Sequence, residues 1–120
     1  MRENIVVNKS FEFALEIIGL YKYLVEEKRE FVLSKQLLRS GTAVGALVRE
    51  SQNAESKMDF VHKLAIAQKE CDETLYWLEL LFQSHYIDEK KYNHNRSEAA
   101  LLLKLLRSII ISTKENLSKQ

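Results

Sequence analysis

At 120 residues, with 46% hydrophobic and 29% charged side chains, the chain is long enough for one domain with a substantial core and too apolar to remain disordered. Eighteen Lys and Arg against seventeen Asp and Glu leave a formal charge of +1, which excludes a strongly basic footprint and leaves room only for a local basic patch. The absence of proline and the presence of only three glycines remove the turn punctuation of β-sandwiches and α/β folds, so long helices are predicted.

The opening MRENIVVNKSFEF has neither the apolar core nor the small-residue cleavage site of a secretory signal. Ser10 then reads as the N-cap of a first helix over about 11–28, with Phe11, Ala14, Leu15, Ile18, Tyr21 and Val25 as its core face. Phe13, Ile17, Leu20 and Leu24 extend the apolar surface to an arc of roughly 220°, where a single core needs 100° or somewhat more. This excess predicts that those four residues meet another subunit.

The charged break EEKRE leads into a second helix over about 31–52, whose core face carries Leu33, Leu37, Ser40, Gly41, Val44, Leu47 and Val48. A glycine inside a helix costs about 1 kcal/mol relative to alanine. Gly41, Ala43, Gly45 and Ala46 border the core face and predict close approach of neighbouring helices in return. A phosphate-cradling loop would require a preceding strand and a lysine in register, and the sequence offers neither.

SQNAES is polar enough for a turn, and Ser56 with Asp59 forms a capping-box pattern ahead of a third helix over about 57–85. Its apolar face runs through Phe60, Val61, Leu64, Ala67, Cys71, Thr74, Leu75, Leu78, Leu81 and Phe82. A hairpin centred on Asn53 to Glu55 sets Glu50 against Lys63 and Arg39 against Glu70 or Glu73, a structural charge seam. An acid/base site at Glu70 would need a cleft and a convergent partner. Asp88 caps a fourth helix over about 89–116, with KKYNHNRSE as its weakest part.

Four amphipathic segments joined by short links predict one domain, 1–120, folded as an all-α, antiparallel up-down-up-down four-helix bundle. Leu37, Val44, Leu64, Cys71, Leu75, Leu78, Leu102 and Ile109 are its predicted core. Ile66, Trp77 and Ile111 point away from their core centres and join Phe13, Ile17, Leu20 and Leu24 as the predicted oligomer interface, because such patches on a soluble monomer invite association. The greasiest run, AALLLKLLRSIIIS, is broken by Lys104 and Arg107 and predicts no membrane span.

Lone Cys71 cannot form an internal disulfide; it reads as core filler and points to the reducing cytoplasm. A di-iron bundle needs Glu-x-x-His on two helices, whereas Asp59-x-x-His62 occurs once, and His85 and His94 read as solvated. No catalytic residue, metal, cofactor or small-molecule substrate is therefore predicted. Lys90, Lys91 and Arg96, with Tyr92 interleaved, are the candidate nucleic-acid contacts.

QLLRSGTAVGALVRESQNAES followed by DFVHKLAIAQKECDETLYWLELL resembles the four-helix bundle family of 23S rRNA intervening-sequence proteins. The resemblance runs from SFEFALEI at Ser10 through Ile111, strongest from Gln36 to Leu81, and joins a small-residue helix to the pattern KxxxxxKExxExxYWLxLL in register. It implies an antiparallel bundle that assembles as a homopentamer. It also implies kinship with the accessory protein of diversity-generating retroelements, a basic pentamer implicated in binding nucleic acid and a reverse transcriptase. Arg39, Glu50, Lys63, Glu70 and Glu73 match the family's recurring charged positions, which bring no catalytic role; Gly41 and Ala43 stand where relatives often carry alanine and serine. The predicted function is a non-enzymatic, ring-like homo-oligomeric scaffold or adaptor associated with RNA or DNA. The alternative is a module that binds nucleic acid directly through a basic face of the oligomer.

Overall fold

The computed structural model describes residues 2–119, with side chains from Ile5 onward. Four helices, α1 (Arg2–Glu26), α2 (Leu33–Ser51), α3 (Lys57–Gln83) and α4 (Glu89–Ser118), form a rod 53 × 21 × 21 Å. Each helix packs on its sequence neighbour, and α1 closes the bundle on α4 through the thinnest of the four seams. The short links make successive helices antiparallel. Among the described residues there is no strand, and no helix is long and apolar enough to cross a membrane.

Side chains fix the starts of α3 and α4. Ser56 Oγ accepts the Asp59 N–H at 3.0 Å, Asp59 Oδ2 accepts the Glu55 N–H at 3.2 Å, and Asp88 Oδ1 accepts the Lys91 N–H at 2.8 Å. At the end of α3, His85 takes a left-handed conformation (φ 68°) while the Tyr86 N–H reaches back to Leu81 O and the His85 N–H to Phe82 O. That pattern satisfies carbonyls the helix would otherwise leave open.

EEKRE is more than a polar break. Glu30 is buried, and its carboxylate accepts the N–H groups of Ser34 (2.7 Å), Leu33 (3.0 Å) and Val32 (3.2 Å), so it caps α2 from outside the helix. The helix accordingly starts at Leu33, two residues later than Phe31, and Phe31 and Val32 are exposed. Burial pushes the Glu30 carboxyl up, but the backbone donors and the Ser34 hydroxyl outweigh it and hold the group below the usual carboxylate range.

The first helix departs most from expectation. It begins at Arg2, and Ser10 is not its cap: buried in mid-helix, Ser10 donates its hydroxyl to Val7 O at 3.1 Å. The core face is also different. Val6, Phe13, Ile17, Leu20 and Leu24 are buried within the chain, whereas Phe11 and Leu15 are 52% and 54% exposed. Phe13, Ile17, Leu20 and Leu24 therefore belong to this subunit's own core, because α2 and α4 flank that side of α1. The start of α4 departs as well: KKYNHNRSE is an unbroken helix, held by Tyr92 stacked on Phe82 (4.4 Å between ring centres) and by the buried Asn95.

Candidate functional site

Two seams meet on α1 and differ in construction. Toward α2, glycines let the backbones close up: a Cβ on Gly41 would stand 2.7 Å from Ile17 Cγ2, and one on Gly45 would stand 3.1 Å from the Ser10 carbonyl oxygen. Gly41 and Gly45 thus have the close-packing role read from the sequence. Ala43 is half-buried, but Ala46 is exposed and does not share the close approach to α1 that Gly41 and Gly45 make.

Between α2 and α3 lies the charge seam. Lys63 Nζ stands 3.3 Å from Glu50 Oε1, Arg39 Nη1 stands 3.1 Å from Glu70 Oε1, and Arg39 Nη2 pairs with Glu73, which also accepts the Trp77 indole N–H at 3.0 Å. Beneath it the Ser40 and Thr74 hydroxyls share a buried hydrogen bond of 2.9 Å. The arrangement locks register between the two helices, and the carboxylates are spent on partners rather than aimed into a cleft. Trp77 and Ile66 are half-buried, with Trp77 against the core, so Ile111, at 57% exposure, is the most solvent-facing of the predicted interface residues.

The α1–α4 seam stays open. Ile5, Phe13, Leu101, Leu102 and Leu105 line a groove of about 430 Å³, rimmed by Lys9, Glu12, Glu98 and Lys104. Ile5 and Leu101, both in its lining, are 50% and 53% exposed. The groove has no mark in the sequence, because periodicity does not say which apolar stripe of α1 meets α4.

Cys71 lies wholly inside the core with Sγ 3.3 Å from Ala99 O, and burial, with the neighbouring Asp72 charge, pushes its thiol up to about 12. A thiol held protonated that far above neutral is neither nucleophile nor metal ligand.

The candidate nucleic-acid contacts do not converge. Lys91 lies over the Tyr23 ring of α1 at 4.6 Å, whereas Tyr92 and Arg96 face α3, where Arg96 shares a cleft with the acidic Asp72 and Glu79. Lys90 is exposed. Consecutive residues on a helix leave in different directions, so the run KKY cannot present one basic face.

These seams define a small all-α antiparallel bundle whose polar groups chiefly set helix register. The family model described as 23S rRNA-intervening sequence protein matches residues 2–108, and the chain belongs to that family. It is similar to a solved structure from Bacteroides thetaiotaomicron, described as a protein of unknown function from the S23 ribosomal protein family, at 52% identity and a TM-score of 0.90, over 92% of this chain and 98% of that one. No curated protein matches it.

Proposed function

We propose that the protein is a non-enzymatic homo-oligomeric scaffold whose subunits join through the open α1–α4 groove. The observation that carries this reading is the groove itself: apolar walls, two half-exposed hydrophobic residues, and a rim with two charges of each sign. Leaving such a surface in water is unfavourable by about 25 cal/mol for each Å² that a partner would cover. A closed ring needs two different surfaces. The outward ridge of Phe11 and Leu15, on the far side of α1, supplies the second. Five subunits is the number the family resemblance favours. A cytoplasmic location belongs to the same reading, supported by the single buried thiol.

Light scattering on the purified chain at micromolar concentration tests the proposal. The expected result is an oligomer that Leu101→Glu converts to a helical monomer, since a charge set in an apolar interface loses its hydration. A monodisperse monomer for the unmodified chain would sink the reading; a dimer would keep the interface and discard the ring. RNA that co-purifies and is released with a steep salt dependence would instead assign the exposed faces to nucleic acid.

A further inference from the structure

A second feature of the α1–α4 seam lies nearer the α3–α4 turn. Glu16 on α1, with His94 and Glu98 on α4, places three ligand-type atoms within 4.8 Å of one another, and His94 Nε2 is 2.9 Å from both oxygens of Glu16. His94 and Glu98 are one turn apart, the spacing that sets two side chains on the same helix face. Glu16 comes from the opposing helix, separated by 78 residues in sequence.

Beside this cluster is a cavity of about 230 Å³ lined by Glu16, Gly19, Leu20, Tyr23, Lys91, His94 and Asn95. Asn95 is only 6% exposed; its Nδ2 donates to Lys91 O at 2.8 Å, and its Oδ1 is the single buried side-chain polar atom without a partner among the described residues. A buried acceptor left unsatisfied costs about 1–3 kcal/mol, so such an atom calls for a donor. The Lys91 ammonium is drawn over the Tyr23 ring at 4.6 Å.

We infer that Glu16, His94 and Glu98 form a site for a divalent first-row metal of the zinc class, clamping α1 to α4, with Asn95 Oδ1 accepting a hydrogen bond from a water on the ion. One imidazole nitrogen with two carboxylates suits zinc and its neighbours and disfavours calcium and magnesium, which take all-oxygen shells. Zinc bonds of about 2.0–2.2 Å in a tetrahedron hold their ligand atoms about 3.3–3.6 Å apart, so His94 Nε2 and the Glu16 oxygens, now 2.9 Å apart, open slightly to admit the ion while contacts of up to 4.8 Å within the cluster close by side-chain rotation. Three protein ligands leave one tetrahedral position for water. Glu98 also rims the α1–α4 groove, whereas His94 lies outside it, so His94→Ala separates loss of zinc from any change in assembly.

The test is titration of untagged, chelator-stripped protein with zinc chloride by calorimetry, and with cobalt chloride followed by visible absorption. One ion per chain is expected, with a melting temperature that rises as zinc is added, because the ion binds an arrangement that only the folded chain provides. His94→Ala and Glu98→Gln should each weaken zinc binding at least tenfold while helical content stays unchanged, and His62→Ala, an exposed histidine outside the cluster, should leave it unaltered. No zinc binding up to millimolar concentration, or binding that His94→Ala and Glu98→Gln leave intact, would overturn the site. So would calcium binding as tightly as zinc.

Discussion

The two edges of α1 are built on opposite plans. Toward α2 the helix meets glycines, Gly41 against Ile17 and Gly45 against the Ser10 carbonyl, with no space left over. Toward α4 it meets a groove of about 430 Å³ and half-exposed Ile5 and Leu101. One edge is finished within the subunit and the other is not. The first seam is finished by folding alone, and the second is the surface on which the proposed assembly rests.

The comparison breaks most readily at Gly41. Gly41→Val sets a branched side chain where even one carbon stands 2.7 Å from Ile17, itself fully buried, and should cost about 3 kcal/mol in chemical denaturation. Gly45→Ala should stay near zero, because the helix gains about 1 kcal/mol while the approach to Ser10 O, at 3.1 Å, takes a similar amount back. Equal losses at the two glycines would mean that the seam is not closed where the geometry closes it.

Glu30 sharpens the same contrast, since it starts the helix that carries both glycines. Glu30→Gln should cost about 1–2 kcal/mol at neutral pH through weakened hydrogen bonds to three N–H groups. Its carboxyl is held below its ordinary value in the folded chain, so its contribution is fully present above the unfolded carboxylate pKa of about 4.3 and is lost as pH falls through the lower folded value. Stability of the unmodified chain should therefore fall more steeply below about pH 4.5 than that of Glu30→Gln. Parallel acid profiles would remove Glu30 from its capping role. Lys63→Ala should cost little, below about 1 kcal/mol by thermal melting, because Glu50 is more than half exposed and the pair is screened by solvent.

Helices α2, α3 and α4 were legible where local chemistry decides: Ser56 and Asp88 cap as their residue types predict, and the small residues at Gly41 and Gly45 mark a close approach. The face of α1 was not legible, because Phe11, Leu15 and Ile18 make as good an apolar stripe as Phe13, Ile17 and Leu20. Periodicity finds a helix; only the neighbours choose which stripe is buried. Ser10 misled for a related reason, since a hydroxyl that can cap a helix can also donate to the carbonyl three residues back within one. Glu30 was hidden in a charged run, and Glu16, His94 and Glu98 had no sequence signal because the cluster depends on helices at opposite ends of the chain.

The links between helices are short, and three of the four seams join sequence neighbours; only α1 with α4 brings distant parts of the chain together. Loop closure therefore costs little until that last seam, and hairpins that fold locally form quickly. Topology therefore predicts that the thin α1–α4 seam closes late, after the transition state, so that substitutions there should raise the unfolding rate more than they lower the folding rate. Interactions placed there slow the escape from the native state and leave the rate of reaching it nearly unchanged. On that prediction the seam acts as a timer for how long the folded chain persists, set apart from the elements that decide how fast it forms.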